Sequence, residues 1–152
     1  MKTDLSLIVC LYFEEDCVTE FVRQVQSVLA GGTIHWELVF VDDGSQDGTV
    51  RIVKELAAED SRIRLVVLSR NYGKEAAITA GVAHANGEFM ILMDPDLQDP
   101  PHRIVDFYNK ANEGYDLVWG IRKQQSRGIG ERIFSSIFWK VLRSFTGPPT
   151  EK

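Results

Sequence analysis

Cysteine is scarce in this sequence, and so is any long apolar run. Only Cys10 and Cys17 occur. Their spacing fits neither a zinc site nor a redox pair, and a chain so poor in cysteine points to a reducing compartment. The longest apolar run, around Leu5 to Phe13, is far too short to cross a bilayer, so no transmembrane segment is expected. Lys2 is followed by Asp4 and by no small-residue cleavage site, which argues against a signal peptide. Internal repeats, low-complexity tracts and linkers are missing. Positive charge is in deficit, with a formal net charge of −5, and this argues against nucleic acid as a partner.

What is present suffices for one compact domain. The chain has 152 residues, 44% of them hydrophobic, with charged residues mixed through most of its length. The charge is unevenly placed. Residues 122–152 hold Arg122, Lys123, Arg127, Arg132, Lys140, Arg143 and Lys152 against Glu131 and Glu151 only. The rest is strongly acidic. An acidic body with a basic C-terminal segment fits an anionic partner near that end; a solvated basic helix face fits the same charges.

Short β-rich runs alternate with amphipathic stretches. Strands are expected at 5–11, 36–41, 64–68, 89–93 and 116–121. Val18, Phe21, Val22, Val25, Val28 and Leu29 recur at helical spacing, as do Val50, Val53, Leu56 and Ala57. Further helices are expected at 74–85 and at 101–114, the latter with Pro101 in its first turn and Gly114 at its end. Such alternation implies an α/β fold, a mostly parallel sheet flanked by helices. Ligands of such sheets sit beyond the carboxyl ends of the strands.

The polar residues follow those strand ends. "DPDLQD" (94–99) closes the fourth strand. Asp94 and Asp96 offer two hard oxygen ligands to one divalent cation, magnesium or manganese, with a diphosphate as natural co-ligand. Asp99, directly before two prolines, suits helix capping. "DDGSQDGT" (42–49) closes the second strand. Turn geometry accounts for Gly44, Ser45, Asp47 and Gly48. It accounts less well for Asp42 and Asp43 together, and a carboxylate here can accept a hydrogen bond from a nucleobase N–H or a ribose hydroxyl. Basic groups face the acidic ones from the third loop, with Lys74, and from the fifth, with Arg122 and Arg127. Arginine suits bidentate phosphate contact.

The stretch 129–145 puts Ile133, Phe134, Ile137, Phe138, Val141, Leu142 and Phe145 on one helical face, over roughly 26 Å. Its apolar face needs a cover: the domain itself, a second copy of the chain in a homo-oligomer, or a membrane surface with Lys and Arg toward the headgroups.

Taken together, the motifs resemble a known family. "VCLYFEE" resembles the opening strand motif of family 2 glycosyltransferases, and "FVDDGSQDGT" is similar to their nucleotide-binding turn. "SRNYGKEAAITAGVAHANGEFMILMDPDLQDPP" followed by "DLVWGIRKQQSRG" resembles the subgroup that glycosylates polyprenyl phosphates. The resemblance runs in unbroken order over about residues 5–145. It implies a GT-A fold, a nucleoside-diphosphate sugar donor, a polyprenyl (undecaprenyl or dolichyl) phosphate acceptor and a divalent metal on the D-x-D motif. In that reading Asp94, Asp96 and Gln98 hold the metal. Tyr12, Glu14, Asp42, Asp43, Lys74 and Asp94 contact the nucleotide. Asp96, Asp99, Arg122 and Arg127 serve the transfer, which inverts the anomeric centre; Asp99 is the local base if one is used. The enzyme would work at the cytoplasmic face of a membrane.

Leu11 and Phe13 depart from the family's usual Pro and Asn. The chain ends at "TGPPTEK", where family members continue, so a C-terminally shortened chain is expected. The expected layout is a catalytic domain over 1–128, an amphipathic helix over 129–147 and a tail over 148–152. The rivals are a nucleotide-sugar-binding remnant with little activity, a phosphatase-like D-x-D domain and a receiver-like signalling module. In both of the last two, the acidic pairs of this chain fall in the wrong order along the strands.

Overall fold

Strand β1 (Leu5–Leu11) is the axis of the structure, a computed structural model that describes residues 2–32 and 34–120. It pairs in parallel with β2 (Trp36–Asp42) on one side and β4 (Phe89–Met93) on the other, and β3 (Ile63–Val67) extends the sheet beyond β2. The order is β3-β2-β1-β4. Helices α1 (Val18–Leu29), α2 (Thr49–Glu59), α3 (Lys74–His84) and α4 (Arg103–Asn112) supply the crossovers and flank the sheet. Residues up to Val118 form one compact unit.

The two-residue period of the strands divides the core. Leu5, Leu7, Val9 and Leu11 share one face with Leu38 and Phe40, and there meet Phe21 and Val25 of α1, Val53 of α2 and Ile104 of α4. Val39 and Val41 point the other way, with Cys10 at their side, and meet Ala77 and Ala80 of α3. β1 and β2 are buried on both faces, which explains why they read as unbroken apolar runs. Helix α3 lies close on the sheet because Gly81 has no side chain: a Cβ there would stand 2.4 Å from Ile8 Cγ2.

At the amino end of the sheet a buried carboxylate ties four segments together. Glu37 of β2 accepts hydrogen bonds from Ser6 Oγ (2.7 Å), the Asn86 backbone N–H (2.6 Å), Asn86 Nδ2 (3.1 Å) and Arg64 Nη1 (2.9 Å). Arg64 also donates to the His84 carbonyl (2.7 Å), and the Gly87 N–H donates to Ser6 Oγ (2.8 Å). Burial pushes the Glu37 carboxyl up, but its donors outweigh burial and hold it below the ordinary 4.5.

Two sequence expectations are corrected. Residues 116–120 form no strand, although 116–121 was expected to be one. Apolar content supports a strand only where a neighbour supplies backbone partners; none pairs with this stretch among the described residues, and Leu117 and Trp119 stand exposed. Helix α4 begins at Arg103, not at Pro101. Pro100 and Pro101 form the preceding turn, accepting from the Arg103 and Ile104 N–H groups, and His102, at the N-cap position, makes no side-chain cap. The segment expected as an amphipathic helix, 129–147, and the tail 148–152 lie outside the described residues.

The Glu37 network yields a pH prediction. A carboxyl whose pKa is lowered by folding stabilises the native state above its unfolded value, and that stability is lost as pH falls through the folded value. Glu37→Gln should lower stability at neutral pH by about 1–3 kcal/mol, because the donors from Ser6, Asn86 and Arg64 lose the charged acceptor they share at the buried Glu37. Urea denaturation should also show a shallower loss of stability below about pH 4.5 in the variant than in the parent.

Candidate active site

The strand order reverses beside β1: β2 and β3 run to one side of it and β4 lies on the other. A crevice therefore opens beyond the carboxyl ends of β1 and β4. The register brings those ends level, with Leu11 opposite Asp42 and Val9 opposite Met93. A cavity of about 360 Å³ lies there, lined by Cys10, Leu11, Tyr12, Glu14, Asp43, Asn71, Gly73, Lys74, Ala77, Asp94, Pro95 and Asp96. Six of the residues expected at the site, Tyr12, Glu14, Asp43, Lys74, Asp94 and Asp96, come together in this one place.

Asp42 and Asp43 part company. Asp42 continues the face of Leu38 and Phe40, is fully buried and does not line the cavity. Its Oδ2 accepts from the N–H groups of Gly44 (3.1 Å) and Ser45 (3.0 Å), which shapes the turn into α2. Its Oδ1 is the one buried side-chain polar atom without a hydrogen-bond partner among the described residues. Gly44 sits at φ +82°, and a Cβ there would also stand 2.6 Å from the carbonyl carbon of Arg70, so the turn admits only glycine. Asp43 faces the other way. Its Oδ1 accepts the Tyr72 N–H (2.7 Å) and its Oδ2 the Gly73 N–H (2.9 Å), so it anchors the β3–α3 loop while forming part of the cavity wall.

The loops after β1 and β4 hold the two described non-glycine residues with left-handed backbone, Phe13 and Leu97, both at φ 60°. Such a conformation costs of order 1–3 kcal/mol and persists only where the surroundings hold it. Phe13 N–H donates to Ser45 Oγ (3.0 Å), and the Glu14 N–H donates to Thr49 Oγ1 (2.9 Å), so the β1 loop is pinned to the turn after β2. Leu97 turns its side chain into the core, leaving Asp96 and Gln98 exposed on either side. The Gln98 N–H closes the turn on Asp96 Oδ1 (3.0 Å).

Lys74, the first residue of α3, donates to Asp94 Oδ1 at 2.6 Å. That hydrogen bond holds its ammonium pKa above the ordinary 10.5, against the opposing effect of burial. Glu14 Oε2 accepts from Cys17 Sγ at 3.0 Å. Burial, followed by this bond, pushes the Cys17 thiol up to about 12, so it is no nucleophile at neutral pH.

Asp94 and Asp96 thus give two hard carboxylates to one cavity. No group of three or more His, Cys, Asp or Glu in ligand arrangement occurs among the described residues. Two carboxylates leave most of an octahedral sphere to water and phosphate, the manner in which magnesium is held beside a diphosphate. The donor set fits such an ion once Asp94 exchanges its Lys74 partner. Arg122 and Arg127 lie outside the described residues. Cys10, Asn71 and Gly73 line the cavity without having been picked out from sequence. The signal for Asn71 and Gly73 was their place in the loop that carries Lys74.

A level row of parallel strand ends with acidic turns and a crevice at the reversal point defines a nucleotide-binding type of α/β protein. Comparison narrows the class. The profile of Glycosyl transferase family 2 matches residues 6–151, and the chain belongs to that family. An undecaprenyl-phosphate 4-deoxy-4-formamido-L-arabinose transferase of Klebsiella pneumoniae (strain 342) is 35% identical over 144 residues, 94% of this chain and 44% of the relative. The uncharacterized glycosyltransferase YkcC of Bacillus subtilis (strain 168) is 34% identical over 142 residues, 93% of this chain and 44% of the relative. The chain thus spans under half the length of these curated relatives. Among solved structures, S. aureus TarS in complex with UDP superposes with a TM-score of 0.65 at 24% identity, over 84% of this chain and 38% of that one. The mannosyltransferase PcManGT of Pyrobaculum calidifontis, in complex with GDP-Man and Mn2+, does so with a TM-score of 0.65 at 23% identity, over 94% and 39%. The fold is the GT-A fold of these glycosyltransferases.

Asp43 gives this site its own test. Asp43→Ala should leave the sheet intact but release the β3–α3 loop. Hydrogen exchange at the Tyr72 and Gly73 amides should accelerate by at least tenfold, since losing two charge-assisted bonds of about 1.5 kcal/mol or more each lowers the opening free energy. Unchanged protection of both amides would show that the loop is held by other contacts.

Proposed function

We propose that this chain carries the donor-binding part of a glycosyltransferase that moves a sugar from a nucleoside-diphosphate sugar to a polyprenyl phosphate at a membrane surface. The observation that carries the reading is the gathering of Tyr12, Glu14, Asp43, Lys74, Asp94 and Asp96 in one crevice at the reversal point of the sheet. Relatives named for transfer to undecaprenyl phosphate support the acceptor class, and the neighbour holding GDP-Man and Mn2+ supports the donor class and the metal.

In this reading an oxygen of the acceptor phosphate attacks the anomeric carbon. The bond from that carbon to the distal phosphate oxygen breaks, and the nucleoside diphosphate leaves with the electron pair. Attack from the face opposite the leaving group inverts the configuration. The acceptor is already an anion, so no proton needs to be removed from it, and Asp99 is then dispensable as a base. Tyr12, with 47% of its surface exposed, offers a ring face at the cavity mouth for the base. Asp43 presents a carboxylate edge to the nucleoside, while Asp42 acts only through the turn it builds. Asp94 and Asp96, with Gln98 beside them, would hold a divalent cation, which when bound offsets charge that builds on the departing diphosphate. Arg122 and Arg127 are assigned to the diphosphate and the acceptor phosphate. The amphipathic segment 129–147 is assigned to the membrane interface on the cytoplasmic side. No helix among the described residues is long and apolar enough to cross a membrane.

Nucleotide binding tests the reading directly. UDP and GDP should each be offered to the chain by calorimetry, with and without Mn2+. One of them should bind with Mn2+ dependence, and Asp94→Asn combined with Asp96→Asn should remove that dependence while the fold survives by circular dichroism. Binding of neither nucleotide under any condition would reject the donor assignment. Binding that the double variant keeps unchanged would reject the D-x-D assignment. For the acceptor, vesicles containing undecaprenyl phosphate should retain more of the chain than vesicles matched in charge without it.

A further inference from the structure

Lys74 occupies an odd position. A lysine at the first residue of a helix places positive charge against the positive end of the helix dipole, an unfavourable setting. Its partner lies 20 residues away in sequence, on the far side of the strand-order reversal: Lys74 Nζ meets Asp94 Oδ1 at 2.6 Å. Both side chains are half exposed, 59% for Lys74 and 42% for Asp94. An ion pair in such a setting contributes little to stability, so the fold does not need it. Asp94 and Asp96 are two like charges in one crevice, and Lys74 is the cation that the structure places against the first of them. The same oxygen, Asp94 Oδ1, belongs to the carboxylate that would bind the divalent ion.

We propose that Lys74 is an exchangeable place-holder: it neutralises Asp94 while the crevice is empty, gives up Asp94 to the divalent cation, and then pairs with the donor's diphosphate. This rests on the metal-dependent reading above. Electrostatics sets the order of events. A cation binding alone competes with the Lys74 ammonium for the Asp94 carboxylate and sets two positive charges side by side, so metal without nucleotide should bind weakly. A diphosphate arriving with the cation supplies a new partner for the released ammonium in the same cavity. Metal and nucleotide should therefore bind cooperatively, and the coupling is reciprocal by linkage. The crevice would then resist loading with metal alone.

The distinguishing feature is a reversal of sign in one variant. Lys74→Met keeps the length of the side chain and removes its charge. Its affinity for Mn2+ alone, read from free Mn2+ by electron paramagnetic resonance, should rise by about tenfold, as expected from removing a positive charge close to a divalent one. Its affinity for the nucleoside diphosphate in saturating Mn2+, read by calorimetry with UDP and GDP, should fall. Lys74→Arg keeps the charge and should behave as the parent does toward Mn2+ alone. Equal Mn2+ affinity in the parent and Lys74→Met overturns the place-holder, and if Mn2+-dependent nucleotide binding persists, the functional reading stands without it. A Lys74→Met variant that binds both Mn2+ and nucleotide more weakly also overturns the proposal, since it would mean that Lys74 only supports the local fold. Absence of Mn2+ binding in every variant, with or without nucleotide, overturns the place-holder and the metal-dependent reading together.

Discussion

Parallel pairing on both sides of β1 is the constraint on which the rest depends. Because Leu11 stands opposite Asp42 and Val9 opposite Met93, the loops after β1, β2 and β4 leave the sheet at one level. A one-residue slip of β4 would turn its side chains to the other face of the sheet, setting Asp94 and Asp96 out of line with Glu14 and Asp43. The apolar faces of β1 and β2, buried against helices on both sides, specify that register. The site is thus a by-product of core packing: the same side chains that keep the sheet in register keep its carboxylates in place.

Concentrating acidic groups at one edge creates a problem that the chain answers in two ways. Asp43 is met by two backbone N–H groups, Asp42 by two others, and Asp94 by a lysine. These solutions differ in reversibility. Backbone donors in a turn are fixed by the turn, so Asp42 and Asp43 are held in place by the frame. A lysine side chain has several rotatable bonds and stays hydrated, so its partner can be traded. The chain therefore puts its rigid compensation where geometry must hold and its exchangeable compensation where a cation would arrive.

Much of this was legible from the sequence, for definable reasons. The four strands follow apolar runs, α1 and α2 follow apolar periodicity and α4 follows its flanking Pro101 and Gly114, and the limits of all these elements and of α3 agree with the sequence reading to within about two residues. The strand 116–121 was misread because its apolar run carries no information about whether an edge is there to receive it. Asp42 and Asp43 looked interchangeable, yet the two-residue period already separated them: Asp42 continues the parity of Leu38 and Phe40 and is buried, and Asp43 continues that of Val39 and Val41 and meets the start of α3. The sequence sets Lys74 opposite the acidic loops, but its pairing with Asp94 in particular requires knowing that β4 crosses back to the far side of β1. The Glu37 network was hidden for a like reason. A glutamate in the run "WELVFV" gives no sign that Ser6, Arg64 and Asn86 converge on it.

The two ends of the sheet divide stability from chemistry. At the amino end Glu37 is buried among donors from Ser6, Asn86 and Arg64, and such a satisfied network rigidifies the segments it joins. At the carboxyl end Asp42 Oδ1 is buried without a partner, Phe13 and Leu97 hold left-handed backbone, and Asp94 leans on an exposed lysine. Each of these features is unfavourable by itself. They lie together in the loops around one crevice, as expected if the remainder of the fold offsets them so that the crevice stays open and charged. The strain at Leu97 shows the logic most directly. Its half-buried side chain packs against the core, and Asp96 and Gln98 are exposed on either side of it. The end of β4 sets the place of Asp94, and a residue with no polar group of its own anchors the turn that carries Asp96.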